Sequence, residues 1–261
     1  MYPDKKEERL GQEQLNNQGC LMKIIKYMDC HNIIVEFQDE YNGKVHCSYD
    51  NFKKGVVKNP YYPSVFDAGM IGNKYPSRKD NKNTKEYKTW QNMIRRCFDD
   101  KTKNKNPTYQ NVTCCKEWLI YENFYEWLHK QENFDRWYKE NKWSLDKDIL
   151  IKNNKIYSPN TCCLTPHNVN MLFVKQDFKR SDFYIGVYKD DNKYVARCNN
   201  PFTNKLEYVG VYFTPEQAFY FGYKPYKENL IKQIAQIEFD KGNIIKTCYE
   251  AMLRYEVEIT D

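Results

Sequence analysis

Between Leu145 and Asn170 the chain reads LDKDILIKNNKIYSPNTCCLTPHNVN. Two carboxylates, Asp146 and Asp148, flank Lys147. The chain then turns at Asn153-Asn154, and Tyr157-Ser158-Pro159 leads into a polar segment that holds His167 and Asn170. Carboxylate, imidazole and amide groups are the types that move protons and hold divalent ions. The same acidic-basic-acidic run also suits a charged turn between a strand and a loop, held by local ion pairs worth ~0–1 kcal/mol.

Two cysteine pairs, Cys114-Cys115 and Cys162-Cys163, raise a second chemistry. Structural zinc sites use C-x2-4-C knuckles, because the intervening turn aims both thiolates at one ion. Adjacent cysteines in an extended chain point to opposite sides. With no CxxC and no suitably spaced histidine pair, no zinc is expected, and the ten cysteines read as reduced, buried thiols. His31 and His46 read as surface or packing residues.

The elements that must position these groups come from periodicity. Cys20 to Met28, His31 to Phe37 and Lys44 to Tyr49 read as strands, with Asn42-Gly43 as a tight turn. This predicts a small β-rich accessory module over residues 1–70. A helix is expected from Asn83, with Glu86 as its capping-box partner and Tyr87, Trp90, Ile94 and Cys97 on one face. Arg95 and Arg96 lie mostly off that face, on a basic side suited to phosphate. Lys101 to Asn106 reads as a loop. Val112, Trp118, Tyr121, Phe124, Tyr125 and Leu128 continue a helical, core-forming stripe.

Beyond Arg180 the pattern changes to three strands, Phe183 to Lys189, Lys193 to Cys198 and Glu207 to Phe213. Thr214-Pro215-Glu216-Gln217 then gives a helix start with an N-cap Thr, a first-turn Pro and a third-position Gln. The fold class is α+β, ending in a three-stranded antiparallel sheet packed on a helix.

Charge narrows the partner. The chain carries +6, but the segment Lys74 to Lys116 alone holds twelve Lys or Arg against four Asp or Glu, leaving −2 for the rest. One basic segment in an otherwise balanced chain suits a polyanion. It also fits a solvated lysine-rich surface. No apolar run approaches a membrane span and the first residues lack a signal-peptide core, so no membrane partner is expected.

Two segments resemble known families. Gly186-Val187, Lys193-Tyr194-Val195-Ala196, Val209-Gly210-Val211-Tyr212 and Thr214-Pro215-Glu216-Gln217-Ala218 resemble the Apetala-type, ethylene-response-factor-like DNA-binding domain. That likeness spans about forty residues and implies a sheet laid in the major groove of double-stranded DNA. By position, Tyr188, Lys189, Lys193, Arg197 and Lys205 would supply contacts. The family's sheets are richer in arginine than this one.

Tyr87 to Asn170 is similar to phage-encoded HNH homing-endonuclease-like proteins. The matching marks are Trp90 to Cys97, Cys115-Lys116-Glu117-Trp118 with Phe124, Leu145-Asp146-Lys147-Asp148, and Tyr157-Ser158-Pro159 through Asn170. The resemblance implies a ββα-metal domain over residues 71–180, followed by the DNA-binding module with C-terminal helices over 181–261. It places Asp146 and Asn170 as ligands of Mg²⁺ or Mn²⁺. The general-base position falls on Lys147, an ammonium where the family has an imidazole, and His167 is the only nearby histidine. The central Asn of the motif falls on Thr161 or, with a one-residue slip, Asn160.

Two functions follow from the resemblance. One is a phage or mobile-element DNA-binding protein that nicks or cleaves duplex DNA with a divalent metal. The other is a catalytically inactive HNH-derived protein that binds nucleic acid, or a host nuclease or defence complex. Either would act in the cytoplasm of a bacterial host cell.

Overall fold

The β-branched runs near the start of the chain pair as an antiparallel meander. A computed structural model describes residues 5–174 and 183–259. Helix α1 (Lys5–Arg9) precedes strands β1 (Glu13–Leu15), β2 (Leu21–Asp29), β3 (Asn32–Phe37) and β4 (Lys44–Cys47), which lie in that order in one sheet. Asn42 takes a positive φ of 50° in the turn before β4, a backbone region that asparagine tolerates better than most residues. Alternation aims Met22, Ile24, Ile33, Val35 and Phe37 at Phe52 of helix α2 (Tyr49–Lys53), giving this sheet its own core. Each such side chain, once fully buried, stabilises by ~1.5–3 kcal/mol.

The hairpin of β5 (Arg78–Lys79) and β6 (Lys82–Asn83) leads into α3 (Lys85–Phe98). Thr84, not Asn83, is the N-cap, and its hydroxyl accepts from the Tyr87 amide at 3.2 Å. Asn83 is already paired with Arg78 in the hairpin, which moves the cap one residue on. Tyr87, Trp90, Ile94 and Cys97 are all buried along one face of α3. Trp90 Nε1 donates to the Trp118 carbonyl at 2.7 Å, satisfying the indole inside the core. Lys101 to Asn106, expected as a loop, instead lies largely within α4 (Asp100–Lys105), because the Asp99 carboxylate caps it by accepting from the Thr102 amide. Strand β7 (Thr113–Cys114) and α5 (Tyr121–His129) follow.

The chain divides into two compact units, Met1–Glu126 and Trp127–Asp261. The second unit contains α6 (Phe134–Lys139), β8 (Trp143–Asp146), β9 (Ile156–Tyr157), β10 (Cys163–Pro166) and α7 (His167–Asn170). It continues with β11 (Val187–Asp190), β12 (Lys193–Asn200), β13 (Lys205–Tyr212), α8 (Pro215–Gln217), a π-helical turn (Ala218–Tyr223), α9 (Lys224–Asp240) and α10 (Lys246–Leu253). Ile149, Cys163, Val169 and Leu172 share one core with Val187, Ala196, Phe219 and Ile231. The hairpin and the C-terminal sheet therefore fold as one body. The expected boundary at residues 180 and 181 lies outside the described residues.

Strands β11, β12 and β13 form an antiparallel sheet in chain order. Thr214 caps α8 by accepting from the Gln217 amide, and Gln217 Oε1 accepts from the Phe213 amide in return. The turn Ala218–Tyr223 packs directly on the sheet. A Cβ at Gly222 would sit 2.8 Å from the Tyr212 ring and 2.9 Å from Ala196, so only glycine permits this approach. Among the described residues no helix is long and apolar enough to cross a membrane.

Candidate nucleic-acid interface and hairpin site

Strands β8 and β10 pair antiparallel, with Asp146 opposite Cys163 and Trp143 opposite Pro166. Helix α7 starts immediately after Pro166, at the Trp143 end. Asp146 and His167 thus lie at opposite ends of the hairpin, separated along the strand by ~10 Å. His167 is exposed, and its Nδ1 lies 3.2 Å from Ser144 Oγ. Asn170, at the end of the one-turn helix, is half-buried.

Asp146 is buried at the end of β8, and its Oδ1 accepts the backbone amides of Asp148 and Ile149, each at 2.7 Å. Burial dominates its titration and pushes the carboxyl up to about 6, against the lowering by those amides. Lys147 is buried as well. Its Nζ donates to both oxygens of Asp148, at 2.6 and 2.7 Å, and to the Asn154 carbonyl at 3.2 Å. The Asn154 side chain donates back to the Lys147 carbonyl at 2.8 Å. Lys147 is the tie of this loop, and every donor it can offer is directed at an acceptor.

Three of the four carboxylate oxygens of Asp146 and Asp148 are engaged within the loop itself. One oxygen of Asp146 holds two backbone amides, both oxygens of Asp148 hold the ammonium, and that ammonium already supplies the positive charge an ion would bring. Among the described residues no group of three His, Cys, Asp or Glu is placed to hold a metal. The expected catalytic residues Lys147 and His167 are not brought together. Each is engaged with a different partner.

The C-terminal sheet shows a different picture. Pairing places Tyr188 opposite Val195 and Val195 opposite Val211, while Arg197 faces Tyr208 across a register shift. Ala196 and Cys198, on the other face, are buried against the helical layer. Tyr188, Lys193 and Arg197 therefore share the outward face, and all three are exposed. Lys189 and Lys205 do not join them. Lys189 pairs with Tyr194, which packs on the core, and Lys205 pairs with the buried Asn200, so both alternate to the opposite face.

Residues that sequence reasoning missed complete the outward face. Leu206, Tyr208, Val211 and Phe213 are large and exposed, Phe213 most of all at 76%. The Arg197 guanidinium lies 6.0 Å from the Tyr188 ring centroid, and Lys193 Nζ lies 5.8 Å from that of Phe213. The signal that could have found these residues was the alternation in LEYVGVYF, had the bulge been placed.

In the first unit, Arg95 is exposed on α3, while Arg96 is half-buried with its guanidinium 5.5 Å from the Tyr109 ring centroid. Arg95 is thus available to an anion, and Arg96 is partly occupied in packing.

No family model, no curated protein and no solved structure matches this chain.

Proposed function

We propose that this chain is a DNA-binding protein of the phage or mobile-element HNH homing-endonuclease-like type, in which the hairpin serves as scaffold and does not cut. The observation that carries the reading is the convergence of Tyr188, Lys193 and Arg197 on one exposed sheet face, in a segment resembling a DNA-binding family. Support for the scaffold role comes from the tie between Lys147 and Asp148, which engages the general-base position of the resemblance. The basic segment around α3, with Arg95 exposed, adds sequence-independent phosphate attraction.

The test is fluorescence anisotropy of labelled DNA with the purified chain over a salt series. Affinity is expected to fall log-linearly with salt, and Arg197→Ala, Lys193→Ala and Arg95→Ala are each expected to weaken it. Absence of DNA binding at low salt overturns the reading and leaves a protein partner, such as a host nuclease or defence complex. Supercoiled DNA incubated with Mg²⁺ or Mn²⁺ is expected to remain intact. Nicking that disappears in Asp146→Ala would instead establish the endonuclease.

A further inference from the structure

The outward face of the β11–β13 sheet carries three exposed rings and a net charge of only +1, from Lys193 and Arg197 less Asp190. Tyr188 stands on one edge strand and Tyr208 on the other, with Arg197 of the central strand opposite Tyr208. Strand spacing and residue rise put the two tyrosines ~12 Å apart across the sheet. Phe213 follows the end of β13, where Lys193 reaches its ring. Tyr208 and Phe213 are 62% and 76% exposed, far more than packing residues of a covered sheet. Large exposed apolar groups collected on one face mark a surface that meets a ligand.

Charge decides which ligand. A face that follows the two backbones of a duplex must neutralise several phosphates, and each neutralised phosphate needs a cation. This face offers Lys193 and Arg197, and Asp190, paired with Lys193 in the outward row, subtracts one. Lys189 and Lys205 are on the other side. Two cations, each beside an exposed ring, suit a single backbone whose bases lie on those rings. Sheets that bind unpaired strands work in this way, by stacking bases on exposed aromatic side chains.

We propose that this face binds unpaired DNA, with bases stacked on Tyr188, Tyr208 and Phe213 and the backbone tracked by Lys193 and Arg197. The proposal rests on the DNA-binding reading above and specifies its substrate. The aromatic side chains act through their faces, so binding tolerates any base and discriminates paired from unpaired strands. Two phosphate contacts imply a shallow salt dependence for this mode, a slope of about −1.4 in log affinity against log salt.

The experiment uses the full chain with a labelled 12-nucleotide single-stranded DNA, the same sequence as duplex, and the same sequence as single-stranded RNA. Tyr208→Ala and Phe213→Ala, both exposed positions, are expected to lower single-strand affinity about ten-fold each and duplex affinity less than about two-fold. Tyr208→Phe keeps the ring and is expected to keep the affinity. Equal losses on single strand and duplex, or no loss on the single strand, overturn the proposal. If duplex binding still depends on Lys193 and Arg197, the DNA-binding reading survives that result. Failure to bind either DNA overturns both. Tighter binding of the RNA overturns the choice of DNA. A concentration-dependent dimer that Phe213→Ala dissolves would show the face covered by a second copy of the chain, and also overturns the proposal.

Discussion

The Lys147 ammonium sits 2.6 and 2.7 Å from the two carboxylate oxygens of Asp148, its immediate neighbour in the chain. Lys147 is nearly fully buried while Asp148 is 43% exposed in its side chain, so the pair is half in water. That asymmetry lets Asp148 keep part of its hydration while the ammonium relies on the protein. Removing the lysine releases Asp148 to solvent and orphans the Asn154 carbonyl. Lys147→Ala is expected to destabilise the second unit by about 1–3 kcal/mol, because the stem's packing is lost with the ion pair. Lys147→Met keeps most of the stem and is expected to cost less. Urea denaturation followed by tryptophan fluorescence measures both. Equal stability of wild type and Lys147→Ala would contradict the role of tie.

Asp146 makes the hairpin pH-sensitive in an unusual direction. Burial raises its folded pKa to about 6, above the unfolded carboxyl. Between about pH 4 and pH 6 the folded state therefore binds more protons than the unfolded state, and stability falls as pH rises through that window. The contribution is of order 2–3 kcal/mol, fully present below about pH 4 and lost above pH 6. Asp146→Asn retains an oxygen to accept from the Asp148 and Ile149 amides without the burial penalty on charge. It is expected to remove this pH dependence and to be at least as stable as wild type at pH 7. Asp146→Ala loses the oxygen that accepts both amides and is expected to cost about 1–3 kcal/mol. Denaturation at pH 4 and pH 7 separates the three proteins.

Much of the fold follows from periodicity along the chain. The strands between Cys20 and Cys47, the buried stripe of α3 and the Thr214 cap are local patterns, fixed by alternation, helical spacing and capping chemistry. The candidate site was less legible because it depends on pairing. Lys189 and Lys205 look equivalent to Lys193 in the sequence, yet cross-strand register sends them to the other face. The shift beside Arg197 also re-aims Tyr208 outward, and one residue of bulge cannot be placed from composition. The burial of Lys147 was hidden too, since Asp-Lys-Asp reads as a solvated turn until Asn154 folds back onto it. The shared core of hairpin and C-terminal sheet joins residues far apart in the chain, which no local window displays.

In the first unit, a buried carboxylate organises a loop. Glu122 accepts from the Tyr61 hydroxyl at 3.0 Å and from the backbone amides of Asn73 and Lys74 at 2.7 and 2.6 Å. Gly72 enters this cradle with φ of 75°, and a Cβ there would sit 2.3 Å from the Glu122 carboxylate. Gly72→Ala combines left-handed strain with that overlap and is expected to destabilise by more than about 2 kcal/mol. Glu122→Ala leaves two amides and a hydroxyl without an acceptor and is expected to cost about 2–3 kcal/mol, while Glu122→Gln keeps one oxygen and costs less. Thermal unfolding of the three variants ranks them. A neutral Gly72→Ala would show that the loop does not close on Glu122.

The cysteines should separate sharply by reactivity. Among the ten thiols, which are all free, Cys30 is exposed, whereas Cys97, Cys162, Cys163, Cys198 and Cys248 are buried. The thiolate is the reactive form, so lack of access protects the whole buried set, and a raised pKa adds to that protection at Cys162, Cys163 and Cys198. A hydrogen bond to Cys248 together with complete burial raises Cys163 well above the usual thiol range, and burial lifts Cys162 to about 12. In the first unit a hydrogen bond with Cys97, followed by burial, raises Cys114 in the same way. Brief alkylation of the native chain at pH 8, read by peptide mass spectrometry, is expected to modify Cys30 first and to spare Cys162 and Cys163 until urea unfolds the second unit. Because the raised thiols remain protonated at pH 8, raising the pH to 9 in the native state is expected to leave these two unmodified. Early labelling of Cys163 would mean that the core uniting the hairpin with the C-terminal sheet opens readily.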